Sequence, residues 1–219
     1  MINFYGRKVP RGADKKEIKK LFNSTFFFHK DRKIDLRRRF LSFSKLNLEI
    51  GFGSGENLIH SAQKKSEEFF IGCDPYLKGS LLLSKKIEAM NIKNIILTNL
   101  SFLELFDYIK NTCFKKILIL FPDPWPKKRH FKRRLINKNF LTLLNQISDQ
   151  ETDIIVSTDN TDYQNKILYL FNLDKNFLLS SELFGKKLFN YFELRETKYY
   201  KKAKKNRNKS YFFLFKKRN

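Results

Sequence analysis

Short apolar runs alternate with helix-like patterns from residue 46 onward. The runs predict strands at residues 46–50, 68–73, 95–97, 116–121, 153–157, 177–179 and 211–215. Apolar positions at helical spacing predict helices at residues 56–65, 76–90, 135–147 and 163–171. Strands that alternate with helices favour an α/β fold, in which a mostly parallel sheet carries helices on both faces. Ligands of such sheets bind beyond the carboxyl ends of the strands, so the segments that follow the strands are the candidates for a site.

Length and composition predict one globular domain. The chain has 219 residues, of which 42% are hydrophobic, enough for a sizeable core. It contains no run close to the roughly 20 apolar residues of a membrane span, and its first residues lack the apolar core of a signal peptide. Two cysteines, Cys73 and Cys113, predict no disulfide framework and fit a reducing cytoplasm. The three histidines do not cluster with cysteines at metal-ligand spacing, so no metal site is expected.

The net charge of +23 is concentrated at the two ends of the chain. Residues 1–45 carry 14 basic and 4 acidic side chains, residues 46–126 carry 9 of each, and residues 127–219 carry 22 and 9. We interpret this as a basic N-terminal extension, residues 1–45, before a domain, residues 46–219, with a basic C-terminal arm. The asymmetry indicates a polyanionic partner, because lysine and arginine bind phosphates and displace counterions. A lysine-rich genome bias would not explain the neutral centre.

Three alternate glycines follow the first predicted strand of the domain, at Gly51, Gly53 and Gly55. Glycines at this spacing allow a tight turn and a close approach of the backbone to a ligand. The spacing differs from the Gly-x-Gly-x-x-Gly of dinucleotide enzymes, and the Gly-Lys-Ser/Thr ending of a phosphate-binding loop is missing. The loop therefore predicts a nucleoside-containing ligand or a tight turn without one.

Polar residues end the next two predicted strands. Asp74 follows the second strand, where a carboxylate can accept hydrogen bonds from both hydroxyls of a ribose. Asn99 and Ser101 follow the third, and either could accept a hydrogen bond from an adenine amino group. Both NAD and S-adenosylmethionine contain adenosine, so these residues alone do not distinguish the two cofactors.

The most specific segment, residues 121–134, reads FPDPWPKKRHFKRR and directly follows the fourth predicted strand. Pro122 and Pro124 stiffen the backbone around Asp123, and Trp125 offers a flat face for a base. Seven basic residues and no acidic one lie between residues 127 and 138. A rigid carboxylate beside a stacking ring and phosphate-binding cations is the combination needed to read a flipped or unstacked base.

This segment resembles the PDPWPKKRHxKRR segment of the bacterial tRNA (guanine-N7)-methyltransferase family. Residues 48–55 resemble that family's cofactor loop, residues 70–74 its second-strand acid, residues 157–159 its late acidic element and residues 195–199 its C-terminal substrate element. The resemblance implies a single Rossmann-like methyltransferase domain with a seven-stranded sheet. It also implies S-adenosylmethionine as methyl donor, S-adenosylhomocysteine as product, no metal, and the variable-loop guanine at position 46 of tRNA as target.

The resemblance also implies roles for individual residues. Asp123 would be the catalytic-site carboxylate. Cofactor contacts would come from Glu49, Gly51, Gly53, Gly55, Asp74, Asn99, Ser101 and Asp123. Substrate contacts would come from Lys127, Asp159, Thr197, Lys198, Tyr199 and Tyr200. RNA contacts would come from Arg129, His130, Phe131, Lys132, Arg133 and Arg134. Three positions depart from the family pattern: Asp74 replaces a frequent glutamate, Ser101 a frequent aspartate and Tyr200 a common acidic residue, which leaves the adenine contact and the role of Tyr200 open.

The sequence therefore predicts a cytoplasmic enzyme, a tRNA (guanine-N7)-methyltransferase, and contains no feature from which an obligatory protein partner could be inferred. Three alternatives stay open at this point. Another nucleic-acid base methyltransferase with an Asp/Asn-Pro-Pro-aromatic loop is less favoured, because here only Pro124 separates Asp123 from Trp125. A nicotinamide oxidoreductase has the wrong glycine spacing. A non-catalytic RNA-binding module on the same fold would have no need of the intact glycine loop.

Overall fold

The computed structural model describes residues 8–31, 36–184, 186–206 and 208–218, with the backbone alone at residues 183, 184 and 186–188. Within these residues the strands are β1 (Phe27–Phe28), β2 (Lys45–Ile50), β3 (Glu68–Cys73), β4 (Ile95–Thr98), β5 (Lys116–Leu120), β6 (Asp153–Thr158), β7 (Phe177–Phe184) and β8 (Tyr211–Lys217). The α-helices are α1 (Lys15–Asn23), α2 (Glu56–Lys64), α3 (Leu77–Ala89), α4 (Phe102–Ile109), α5 (Lys138–Asn145), α6 (Thr161–Leu173), α7 (Lys186–Phe192) and α8 (Lys198–Lys205). Two 3₁₀ segments cover Arg37–Arg39 and Lys128–Arg133.

The described strands form one sheet in the order β1-β4-β3-β2-β5-β6-β8-β7. Neighbouring strands are parallel except at β6–β8 and β7–β8, so β8 alone runs in the opposite direction. The predicted α/β fold with a mostly parallel sheet is confirmed. The strand count differs: the described residues form eight strands instead of seven, because β1 adds a short parallel edge to β4 through Phe27 and Phe28. Two residues are too few to show the alternation that marks a strand in a sequence.

The apolar runs predicted the strands well and the helices less completely. The second predicted strand has the observed bounds of β3, whereas residues 177–179 form only the start of β7. Helix α5 begins at Lys138, three residues after its predicted start, because Asn137 Oδ1 caps it by accepting a hydrogen bond from the Phe140 N–H. Helix α4 was not predicted. Its signal is a capping box, in which the Ser101 hydroxyl accepts from the Glu104 N–H and the Glu104 carboxylate accepts from the Ser101 N–H.

Side chains alternate between the two faces of the sheet. On β5, Ile117 and Ile119 point into one core, and Leu118 and Leu120 into the other. Helices α4, α5 and α6 cover the first face. Helices α2 and α3 cover the second face beside β3 and β4, and α8 covers it beside β5 and β8. Helices on both faces therefore support the sheet and the loops that follow the carboxyl ends of its strands.

Part of the predicted basic extension packs on the sheet. Helix α1 is tied to α3 by ion pairs of Lys20 with Glu88 at 2.6 Å and of Glu17 with Lys85 at 2.7 Å. Residues 1–7 and 32–35 of that extension lie outside the described residues. The boundary at residue 45 stays a prediction. In the described ranges, no helix combines the length and the apolar character needed to cross a membrane.

Candidate active site

The site lies where the strand order reverses. Strand β2 has β3 on one side and β5 on the other, so the loops after β2 and β5 diverge and leave a crevice at their carboxyl ends. A cavity of about 510 Å³ occupies this crevice. That volume falls within the roughly 300–1,000 Å³ of small-molecule sites. The glycine loop, the end of β3, the first turn of α3, the loop after β5 and the start of α8 all contribute to its walls.

The glycine loop is held by backbone hydrogen bonds and by Asp74. Gly53 and Gly55 have φ angles of 56° and 69°, in the left-handed region that favours glycine. The Gly53 N–H donates to Asp74 Oδ2 at 2.9 Å, and the Tyr76 N–H donates to Asp74 Oδ1 at 2.9 Å. Burial raises the pKa of Asp74, and the nearby charge of Asp123 adds to this rise. Asp74 therefore orders the loop and keeps free lone pairs facing the cavity.

Gly79, in the first turns of α3, was not predicted as a site residue. A Cβ at this position would lie 1.8 Å from the Gly53 carbonyl oxygen, so glycine is what lets α3 pack directly against the loop. Glycine inside a helix costs roughly 0.5–1 kcal/mol relative to alanine. A glycine within a helical pattern was thus the available signal, since such residues often mark a close approach of two backbones.

Glu49, a predicted cofactor contact, lies at the end of β2 and is 3% exposed. Its Oε2 accepts a hydrogen bond from Asn57 Nδ2 at 3.0 Å, and Asn57 Oδ1 accepts from the Arg195 N–H at 3.1 Å. Burial raises the pKa of Glu49 to about 8. Sequence reasoning missed Asn57, whose fully buried amide links the glycine loop to the segment that leads into α8.

The two candidate adenine contacts differ in what their side chains already do. Ser101 lines the cavity, but its hydroxyl donates to Glu104 Oε2 at 2.7 Å as part of the α4 cap. Asn99 Oδ1 is buried and accepts no hydrogen bond from the residues that the structure describes. An unpaired acceptor suits an amino donor such as the one on adenine, although Asn99 is not among the residues that line the cavity.

The loop after β5 holds Asp123 between two residues with positive φ, Phe121 at 52° and Trp125 at 42°. The Phe121 N–H donates to the Ser157 carbonyl oxygen at 3.0 Å, which fixes the loop to the end of β6. Both Asp123 and Trp125 line the cavity. Partial burial raises the pKa of Asp123. Strained backbone of this kind is typical of sites that the surrounding structure holds in place.

Arg134 anchors the other end of the same loop. Its Nε donates to the Pro124 carbonyl oxygen at 2.7 Å, and a terminal nitrogen pairs with Asp162 at 2.5 Å. The guanidinium lies 3.9 Å from the Phe131 ring centroid and 4.8 Å from that of Tyr163. Arg134 is 3% exposed, so its side chain is not available to contact RNA, contrary to the expectation from the sequence. Its contacts position the Asp123 loop instead.

The rest of the basic segment, residues 127–133, faces outward beside the cavity. Lys127, Arg129 and Lys132 are exposed. The Arg133 guanidinium lies 4.9 Å from the Trp125 ring centroid and also lines the cavity. The His130 ring meets Trp125 edge-on at 5.7 Å. Cations and one indole therefore form a single rim.

The predicted C-terminal substrate residues divide into two groups. Lys198 and Tyr199 line the cavity. Thr197 Oγ1 caps α8 by accepting from the Tyr200 N–H at 3.1 Å, and Tyr200 is buried against other aromatic rings. Asp159 lies at the end of β6, where it accepts a hydrogen bond from Asn208 Nδ2 at 3.2 Å. The first group faces the cavity, and the other three side chains hold local structure.

Tyr199 reaches across to the glycine loop. A Cβ on Gly53 would lie 3.0 Å from Tyr199 Cε2, so the ring packs directly on that glycine. Burial raises the pKa of Tyr199, and the charges of Asp123 and Asp74 raise it further. The ring thus closes one side of the cavity between the two carboxylates. No group of three or more potential metal ligands was found in the part of the chain described, and the expectation of a metal-free site stays a prediction.

Comparison with known proteins assigns the chain that forms this cavity to a family. A family model described as "Putative methyltransferase" matches residues 44–213. The chain belongs to this methyltransferase family. It is 38% identical over 172 residues to a tRNA (guanine-N(7)-)-methyltransferase of Wolbachia pipientis wMel, with 78% of this chain and 75% of the relative covered. It is 32% identical over 166 residues to a protein of the same name from Neorickettsia sennetsu, with 76% and 73% covered.

Solved structures share the fold of this methyltransferase at low identity. A 30S ribosomal A1408 methyltransferase from an uncultured bacterium superposes with a TM-score of 0.59 at 19% identity, over 81% of this chain and 89% of that one. A 16S rRNA methyltransferase gives a TM-score of 0.61 at 10% identity, over 83% and 91%. These structures confirm a Rossmann-like methyltransferase architecture.

Replacing Gly79 tests the contact between α3 and the glycine loop. We expect Gly79→Ala to weaken binding of S-adenosylmethionine, the expected cofactor, by tenfold or more in calorimetry, because the new methyl group displaces the Gly53 carbonyl. The melting temperature should fall, since overpacking costs about 1–3 kcal/mol. Lys86→Ala, at an exposed position of the same helix, should change neither quantity. A more stable Gly79→Ala protein with unchanged affinity would contradict this packing.

Glu49 makes the stability of the ligand-free methyltransferase depend on pH. Its folded-state pKa of about 8 exceeds the ordinary value of 4.5, so its contribution is fully present below pH 4.5 and is lost as the pH rises to about 8. The total change should be on the order of a few kcal/mol. We expect the free energy of unfolding of Glu49→Gln to increase relative to that of the wild type as the pH rises from 5 to about 8, as measured by urea unfolding. Glu67→Gln, at an exposed site, should show the same dependence of unfolding free energy on pH as the wild type. If the Glu49→Gln profile were parallel to these two, Glu49 would not be buried as described.

Proposed function

We propose that this methyltransferase transfers a methyl group from S-adenosylmethionine to N7 of a tRNA guanine, the one at position 46 of the variable loop. The observation that carries the proposal is a single cavity with a carboxylate wall and a basic, aromatic rim. The wall suits a cationic methyl donor, and the rim suits an RNA base with its phosphates. Relatives named tRNA (guanine-N(7)-)-methyltransferase support this choice of substrate.

The chain's own groups fit the donor. Each Asp74 oxygen accepts one backbone N–H and keeps a lone pair for a ribose hydroxyl. Asn99 Oδ1 is the acceptor that we favour for the adenine amino group. A Cβ on Gly51 would meet no atom within 4 Å, so that backbone borders open space. These residues, with Gly53 and Gly55 shaping the loop, would hold the nucleoside.

The charge of the wall favours this donor over a dinucleotide. Asp74 and Asp123 face the cavity. Carboxylates attract a ligand that carries a sulfonium and an ammonium group, and they repel the diphosphate of NAD. When bound, S-adenosylmethionine supplies an electrophilic methyl group.

The chain has to orient guanine more than activate it. Guanine N7 carries a lone pair and no proton, so the reaction requires no general base. Asp123 can accept hydrogen bonds from the N1–H and amino group of the base, which points N7 into the cavity. Its negative charge stabilises the positive charge that develops on guanine, an interaction that grows in the transition state. Trp125, on the same rim, offers the base a stacking surface.

The outer basic segment supplies the phosphate contacts. Arg129, His130, Phe131, Lys132 and Arg133 form this proposed RNA surface, and Arg134 supports it from beneath. Of the proposed substrate residues, Lys198 and Tyr199 line the cavity. Thr197 and Tyr200 would act by holding the start of α8 in place, and Lys127 and Asp159 would contact the substrate from outside the cavity wall. A cytoplasmic location stays a prediction.

Unmodified tRNA incubated with the protein and labelled S-adenosylmethionine should yield 7-methylguanosine in nucleoside analysis. Asp123→Asn keeps the size of the side chain but removes its charge and replaces one acceptor by a donor. We expect the single-turnover rate of this variant to fall by on the order of a hundredfold. Binding of tRNA should change little, because phosphate contacts dominate it.

Asp107→Asn is the matched control, since Asp107 is an exposed carboxylate on α4. It should methylate at the wild-type rate. Label in another nucleoside, or none, would contradict the proposed reaction. A normal single-turnover rate for Asp123→Asn would instead refute only the role of Asp123 and move attention to Asp159.

A further inference from the structure

Helix α8 has an unusual concentration of positive charge. It contains no acidic residue and five lysines in eight positions, at Lys198, Lys201, Lys202, Lys204 and Lys205. All five are exposed, and the buried residues of the helix are Tyr200 and Ala203. The helix therefore presents an almost continuous cationic surface to solvent.

These lysines lack the ion pairs that lysines make elsewhere in the protein. None of the five pairs with a carboxylate among the residues that the structure describes, whereas Lys20, Lys85 and Lys216 each do. Lysines three and four positions apart share a helix face, so Lys201 lies beside both Lys204 and Lys205. Like charges at this spacing destabilise a helix. A polyanion bound along the helix would remove that repulsion.

Helix α8 packs on the sheet face beside β5 and β8, and its start lies at the cavity. Its first turn contributes Lys198 to the cavity wall. The chain that follows α8 enters β8 at Tyr211, which pairs with Thr158 at the carboxyl end of β6. The basic segment after β5 contributes Arg133 to the same cavity. Cationic groups therefore border the cavity from two separate elements.

Aromatic packing fixes α8 relative to the Asp123 loop. The Tyr200 ring lies 4.4 Å from that of Phe189 and 6.2 Å from that of Phe212. It also contacts Phe121, which directly precedes the Asp123 loop, at 6.3 Å. The lysines are thus carried by a packed helix at a defined distance from the cavity.

We propose that α8 is a second RNA-binding surface of this methyltransferase, which contacts backbone phosphates of the tRNA on the side of the target guanine opposite to the basic segment. This inference rests on the proposed function. A nucleotide held in the cavity continues into RNA backbone in both directions, and the basic segment, as a single element, would follow only one of them. The lysines of α8 supply phosphate contacts for the other.

A charge-matched pair of variants tests this surface. The α8 variant combines Lys201→Gln, Lys204→Gln and Lys205→Gln and leaves the cavity-lining Lys198 intact. The control combines Lys15→Gln, Lys16→Gln and Lys19→Gln, three exposed lysines of α1, which packs beside β1 at the far edge of the sheet. Both variants lose three charges, so long-range attraction to RNA falls equally.

The dissociation constant for unmodified tRNA is measured between about 50 and 200 mM salt. Each lost phosphate contact makes the slope of log association constant against log salt concentration shallower by about 0.7–0.9. The slope of the α8 variant, which loses three lysines, should therefore be shallower than that of the wild type by about 2–3. Its affinity at physiological salt should fall tenfold or more. The α1 control should keep the wild-type slope. Affinity for S-adenosylmethionine and the circular dichroism spectrum should be unchanged in both variants, which separates lost phosphate contacts from a damaged fold.

A wild-type slope for the α8 variant, or an equal loss in both variants, would overturn the inference while leaving the proposed function intact, provided that the wild type methylates tRNA. Failure of the wild type to bind tRNA would overturn both.

Discussion

Strand β2 lies between β3 and β5, and the site depends on this placement. The chain leaves β2 towards one neighbour and leaves β5 in the other direction, so the sheet itself opens a crevice at its carboxyl edge. The glycine loop keeps that crevice open because Asp74 binds the Gly53 N–H and because Gly79 lets α3 pack without displacing the loop. Asp123, Trp125 and the basic segment then follow from the position of β5 beside β2.

The distribution of charge divides the protein into two surfaces of opposite sign. A chain with a net charge of +23 carries carboxylates around its cavity and cations on its rim. Phosphates are attracted to the rim and repelled from the interior, while a cationic donor and a base that gains positive charge are favoured inside. The buried amide of Asn57 and the ring of Tyr199 join the donor side to α8, so both surfaces are tied to one rigid framework.

The sequence predicted those parts of the fold that depend on local pattern. Buried strands such as β3 and β5 are continuous apolar runs, and the glycine loop and Asp74 follow them at fixed positions. Strand β1 was missed because its two residues are too few to show the alternating pattern of a strand. Asn57 and Gly79 were missed because their roles depend on contacts between segments far apart in the chain.

Predictions made from residue type were wrong where burial determines the role of a side chain. Arg134 ends a basic run and was expected to contact RNA, yet its guanidinium is enclosed by Pro124, Asp162 and two aromatic rings. Tyr200 stands in a motif expected to bind substrate, yet its ring anchors α8. Only the packing of the basic 3₁₀ segment against α6, and of α8 against β8, distinguishes these side chains from their exposed neighbours.

Comparative calorimetry on the wild-type protein distinguishes a methyl-donor site from a nicotinamide site in the acid-walled cavity. S-adenosylmethionine and S-adenosylhomocysteine should both bind with one site per chain, the cationic donor more tightly than the neutral product, because the carboxylates favour the sulfonium. NAD should show no binding under the same conditions. Binding of NAD without binding of S-adenosylmethionine would show that the cavity is not a methyl-donor site.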